Sequence, residues 1–166
     1  MSILELEPVV RIRQNHALEH ATIHLLTRND PTLQLVGRST PKGFYIYGAV
    51  DTQTVADAAS EALARLQSGE SELAIHPRCG TGVAAAGVLA GLAAFVVLRT
   101  RRRPGMSDIP AVITATTLAV MASQPLGLRI QQQITTTPDV EGIRISDIRR
   151  QESGRLVMHQ VRLERD

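Results

Sequence analysis

The stretch Asn15-His16-Ala17-Leu18-Glu19-His20-Ala21-Thr22-Ile23-His24 holds three of the chain's five histidines. Their spacing sets the chemistry open to them. On an α-helix, His16 and His20 stand four residues apart and project from one face, where two imidazoles can hold one divalent ion. Glu19 stands beside them in the pattern H-x-x-E-H. In a metallohydrolase a carboxylate so placed takes a proton from metal-bound water, whose pKa the cation lowers to about 7. His24 lies about 12 Å along the helix from His16. It is therefore expected as an alternative ligand or an outer partner of the ion.

A second group strengthens the metal reading. His76-Pro77-Arg78-Cys79 sets an imidazole three residues before the only thiol, and Pro77 keeps this stretch from being helical. If the first helix packs across this point, His16 and His20 meet His76 and Cys79 at one ion. Such ligands favour zinc over magnesium or calcium. The plain alternatives stand beside it. A histidine on an amphipathic helix is often a polar-face group or a partner of buried carbonyls, and a buried cysteine is often a small hydrophobe. His159, in a strand near the C-terminus, reads as structural. Gly37 and Gly43 read as turn residues, because no G-x-G-x-x-G opens a helix.

These residues need elements to hold them. Residues from about Val9 to Thr27 read as a helix with Leu18, Ala21 and Leu25 on one stripe and the histidines on another, ended by Asn29-Asp30-Pro31. Leu33 to Val36 and Phe44 to Val50 read as strands joined through Ser39 to Gly43. Asp51 or Thr52 is placed to cap a second helix running to about Gln67, with Gly69 after its end. Leu73 to His76 reads as a short third strand. Gly142 to Ile148 and Leu156 to Leu163 read as a strand pair turning at Glu152-Ser153-Gly154.

Between these parts lie two uncharged runs, Gly80 to Leu98 and Ile109 to Leu128. Each matches the roughly 20 residues needed to cross about 30 Å of hydrocarbon as a helix. The loop Arg99-Thr100-Arg101-Arg102-Arg103-Pro104-Gly105 belongs outside the bilayer core and is suited to anchoring at anionic headgroups. Gly87 and Gly91 form a G-x-x-x-G step that suits close helix approach, within the hairpin or between copies. The expected fold is α+β: a small, mainly antiparallel sheet with two helices, interrupted by a two-helix transmembrane hairpin. Its parts are a soluble segment over 1–79, the hairpin over 80–128, and a strand pair over 129–166 completing the soluble domain.

An even number of spans returns the chain to its starting side, so both soluble segments share one compartment. Which side that is stays open. The arginine loop argues that the loop is cytoplasmic, whereas Met1 to Pro8, with Glu5 and Glu7, lacks a leader that would carry the first segment across. With no Trp, two Phe, two Tyr and a net charge of +2, little supports nucleic-acid binding. A single Cys excludes an intrachain disulfide. Oligomeric state is not legible.

His16, Glu19 and His20 resemble the motif of the inverzincin peptidases, the pitrilysin and insulinase group. That resemblance implies a zinc site with a further Glu ligand from a later helix. This chain is too short for that fold, and Glu61 is only a stand-in. Separately, Arg13 to Thr22, Gly43-Phe44, and His76-Pro77-Arg78-Cys79-Gly80-Thr81 before two spans resemble a family of uncharacterised bacterial membrane proteins, which implies a location in the bacterial cell membrane and no activity. Two functions are expected from the residues. One is a membrane-anchored zinc hydrolase, in the manner of a peptidase, with His16, His20 and His76 as ligands, Glu19 as general base, and a membrane-associated substrate. The other is a non-enzymatic scaffold or regulatory module, with a structural metal closed by Cys79 or with none.

Overall fold

In the computed structural model, which describes residues 2–101, 103–154 and 156–165, the chain divides into two units. One comprises Met1–His76 and Gln132–Asp166, the other Pro77–Gln131. The first unit contains α1 (Glu7–Asn29), β1 (Val36–Thr40), β2 (Gly43–Tyr47), α2 (Thr52–Gln67), β3 (Ile143–Ser153) and β4 (Leu156–Arg165), and the second contains α3 (Gly80–Arg99) and α4 (Ile109–Ile130). The four strands make one antiparallel sheet in the order β1-β2-β4-β3. The architecture is α+β, as composition and periodicity require.

Helix α1 starts with Pro8 in its first turn, where a missing N–H costs nothing. Its Leu18, Ala21, Leu25 and Leu26 meet Val55, Ala59, Ala62 and Leu66 of α2 and Phe44, Ile46, Val161 and Ile143 of the sheet in one core. Burying a Leu or Phe side chain of this kind is worth about 1.5–3 kcal/mol. The start of α2 is fixed by Asp51, whose carboxylate accepts the backbone N–H groups of Gln53 and Thr54 at 2.8 and 3.2 Å. In β3 the register slips between Ile145 and Asp147. This bulge resets the alternation, so that Ile143 and Ile145 before it and Ile148 after it all pack on the core.

Three expectations need correction. The first strand is Val36–Thr40 rather than Leu33–Val36, because pairing with β2 runs from Val36 opposite Tyr47 to Thr40 opposite Gly43. The turn is thereby confined to Pro41 and Lys42. Gly43 follows it at φ +139°, where a Cβ would lie 2.0 Å from the Val161 carbonyl oxygen, so no other residue fits. Gly37, expected in a turn, lies within β1. Residues Leu73 to His76 do not form a strand: Ser71–Ala74 is a 3-10 turn that buries Leu73 and Ala74 in the core.

In the second unit α3 and α4 pack on each other. Their close approach is at Gly127, where a Cβ would come within 2.9 Å of Gly82 Cα, whereas nothing lies within 4 Å of a Cβ at Gly87 or Gly91. The G-x-x-x-G step therefore takes no part in packing the hairpin. Arg101 pairs with Asp108 at 3.1 Å across the connecting loop. Arg102 of the basic cluster lies outside the described residues. Both helices are long and apolar enough to cross a membrane. Val83, Val88, Leu92, Phe95, Ile113 and Met121 stand exposed along them.

Candidate metal centre

Four-residue spacing on α1 places the His16 and His20 rings with centres 4.2 Å apart. His76, which follows the 3-10 turn, brings its ring centre to 5.9 Å from that of His20. Imidazoles bound to one zinc at Zn–N distances of about 2.0–2.1 Å in a tetrahedral arrangement have ring centres roughly 5 Å apart. The two observed separations bracket that value. His20 is buried, with 2% of its surface exposed, and His16 and His76 are half-buried.

The hydrogen bonds at these rings decide which nitrogen is offered. His20 Nδ1 lies 2.8 Å from the Ala74 carbonyl oxygen, and His16 Nδ1 lies 2.9 Å from the Thr135 carbonyl oxygen. A carbonyl can only accept, so each Nδ1 carries a hydrogen and donates it, and in the neutral ring each Nε2 keeps its lone pair. Metal-binding histidines are commonly oriented in this way, with one ring N–H on a backbone carbonyl and the other nitrogen on the ion. Both carbonyls come from the ends of irregular turns. Ala74 closes the 3-10 turn, and Thr135 closes a π-turn over Gln131–Thr135. Turn ends leave carbonyls without a helical donor, and π-turns recur at functional sites.

The supporting residues carry no strong signal in the sequence. Arg13, one turn before His16, donates to the carbonyl oxygens of Gln133 at 3.2 Å and Thr136 at 3.1 Å, pinning the segment that presents Thr135. Asn15 is fully buried; its amide donates to Thr40 O at 2.6 Å, and its carbonyl oxygen accepts from Arg165 at 2.6 Å. These bonds fix the rotation of α1 on the sheet and so the direction of the histidine stripe. An Asn directly before the first candidate ligand is the one hint the sequence offers.

Glu19 is 5% exposed and faces β1, where its Oε2 accepts from the Ser39 hydroxyl at 2.5 Å. Gly37 makes this seat: a Cβ there would fall 1.9 Å from Glu19 Oε1. His24 is half-buried and meets His76 edge-on, ring centres 6.4 Å apart. Cys79 is buried and caps α3, its sulfur accepting the Thr81 N–H at 3.4 Å. By donor type, His16 and His20 could both serve as ligands to a metal ion. Glu61 pairs with Arg65 at 2.7 Å on the outer face of α2. His159 is fully buried in β4, with Nε2 3.2 Å from the Thr52 hydroxyl. Burial pushes its pKa down, Arg150 lowers it further, and Asp51 opposes both.

Fold and histidine cluster together define an α+β domain that carries a helical hairpin and a row of imidazoles on its first helix. Residues 11–148 match a family described as a domain of unknown function, DUF6391, and the chain belongs to that family. It is also 40% identical over 141 residues to an uncharacterized protein of Picosynechococcus sp. (strain ATCC 27264 / PCC 7002 / PR-6), a match covering 79% of this chain and 68% of the relative. No solved structure matches.

Proposed function

We infer that this protein is a zinc-dependent hydrolase anchored in the bacterial cell membrane, with His16, His20 and His76 as metal ligands and Glu19 as general base. The observation that carries the reading is the pair of Nδ1–H bonds to Ala74 and Thr135, which make Nε2 the nitrogen that bears the lone pair in both His16 and His20. A zinc ion with three protein ligands keeps a position for water and makes that water acidic near neutral pH. Glu19, seated on Ser39 of β1, would have to turn from that seat toward the metal-bound water to take the proton. The H-x-x-E-H order is that of the inverzincin peptidases, which favours an amide or ester substrate. Two helices of membrane length favour one that is itself membrane-associated.

A second reading rests on Cys79. It is buried, and it follows His76 by three residues. As a fourth ligand it would close the coordination shell and make the zinc structural, the protein then serving as a scaffold or regulator of a membrane complex.

Elemental analysis of detergent-purified full-length protein tests both. About one zinc per chain is expected, and a His16→Ala/His20→Ala variant is expected to lose it. No metal, and no uptake when zinc is offered, would sink both readings. Glu19→Gln is expected to keep metal and fold while losing hydrolysis of peptide or lipid substrates. A Cys79→Ser protein without metal would instead select the structural site.

A further inference from the structure

The ring contacts form a continuous row, His16 to His20 to His76 to His24, with ring centres 4.2, 5.9 and 6.4 Å apart. Helical spacing alone pairs His24 with His20, one turn away; the fold sets it against His76. We propose that His24 and His76 form a second, weaker position for a divalent transition-metal ion, through which the ion is loaded onto His16 and His20. The proposal rests on the metal reading of His16 and His20 and assigns His24 a role in that site's exchange.

Distance excludes His24 as a resting ligand of the same ion. Eight residues of helix put it about 12 Å from His16, while a zinc ion reaches only about 2.0–2.1 Å to each nitrogen. Its ring centre stands farther from His76 than the roughly 5 Å that two imidazoles on one tetrahedral ion adopt, and the rings are perpendicular. Side-chain rotation must bring the pair together, so the ion binds there weakly and leaves readily. Burial orders the row: His24, His76 and His16 are half-buried, and His20, 2% exposed, lies between them. An ion arriving at the His24 end meets the half-buried pair first and the enclosed ligand afterwards. His76 belongs to both positions, so handing the ion on replaces one ligand at a time and never requires a bare ion within the protein.

Stopped-flow uptake of Co2+ by the full-length metal-free protein in detergent, followed by its visible absorption, tests this. His24→Ala and His24→Gln are expected to reach the wild-type final absorbance and stoichiometry. Their uptake and their release to a chelator are expected to slow by roughly 10- to 100-fold, the range over which outer partners of a metal act. Unchanged rates in both variants would overturn the loading role. Loss of the final absorbance in both would make His24 a resting ligand and overturn it as well. A wild-type protein that takes up no cobalt would remove the metal site itself, an outcome distinct from either.

Discussion

Gly37 shows how one missing methyl group holds the candidate base in place. The Glu19 carboxylate occupies the space where a Cβ would sit, 1.9 Å from its Oε1, and the Ser39 hydroxyl secures its other oxygen. Gly37→Ala must displace a buried carboxylate, and overpacking of this sort costs about 1–3 kcal/mol. A lowered thermal midpoint in detergent is expected, together with loss of any Glu19-dependent hydrolysis. A midpoint and activity equal to wild type would show that Glu19 moves freely. His159 makes a pH prediction. Its folded pKa lies below the ordinary 6.5, so as pH falls below that value the unfolded chain binds a proton before the folded one does. Stability is therefore lost as pH falls from about 6.5 toward the folded pKa, and its contribution is constant above. Metal-free wild type is expected to lose more stability between about pH 7.5 and about pH 5.5 than metal-free His159→Gln, measured by urea unfolding. Equal losses would assign the slope to other groups.

At the scale of elements, α1 serves three surfaces at once. Leu18, Ala21 and Leu25 face the core, Glu19 faces β1, and the histidines face the two turns that supply Ala74 and Thr135 carbonyls. The first surface is legible in hydrophobic periodicity alone. The other two depend on where β1 and the turns lie, and a helical wheel of α1 does not contain that. The start of α2 is equally plain in the sequence, since Asp51 precedes a periodic run and caps it as expected. Asp51→Ala is expected to destabilise the domain by about 1 kcal/mol, the usual value of an N-cap side chain. Chemical denaturation of the full chain would report it. A loss well above about 2 kcal/mol, the upper end for such caps, would mean that Asp51 also holds His159 in place.

The whole molecule brings together chain segments far apart in sequence. Thr135, which orients His16, follows the hairpin, and His76 precedes it. If α3 and α4 cross a membrane, both soluble segments emerge on one side, so protease-cleavable tags after residue 2 and before residue 165 are expected to be cut together or protected together in sealed vesicles. One cut and one protected would overturn the hairpin reading. The chain is also expected to stay with the membrane through an alkaline carbonate wash. Recovery in the supernatant would place α3 and α4 in a soluble assembly.

By itself the sequence determined the α+β class, the two apolar helices and the residues worth suspecting, because each is written in local composition: period 3.6 in α1 and α2, alternation in β4, uncharged runs at 80–98 and 109–128. Tertiary structure decided what local pattern cannot hold. It turned Leu73 and Ala74 into a 3-10 turn, moved β1 to Val36–Thr40 through its pairing with β2, and placed the bulge at Ser146. It also selected which ring nitrogen His16 and His20 offer, because that choice belongs to carbonyls 119 and 54 residues away in the chain. A residue's type states which chemistry it can do, and only the groups that the fold brings to it fix its proton, its partner and its direction.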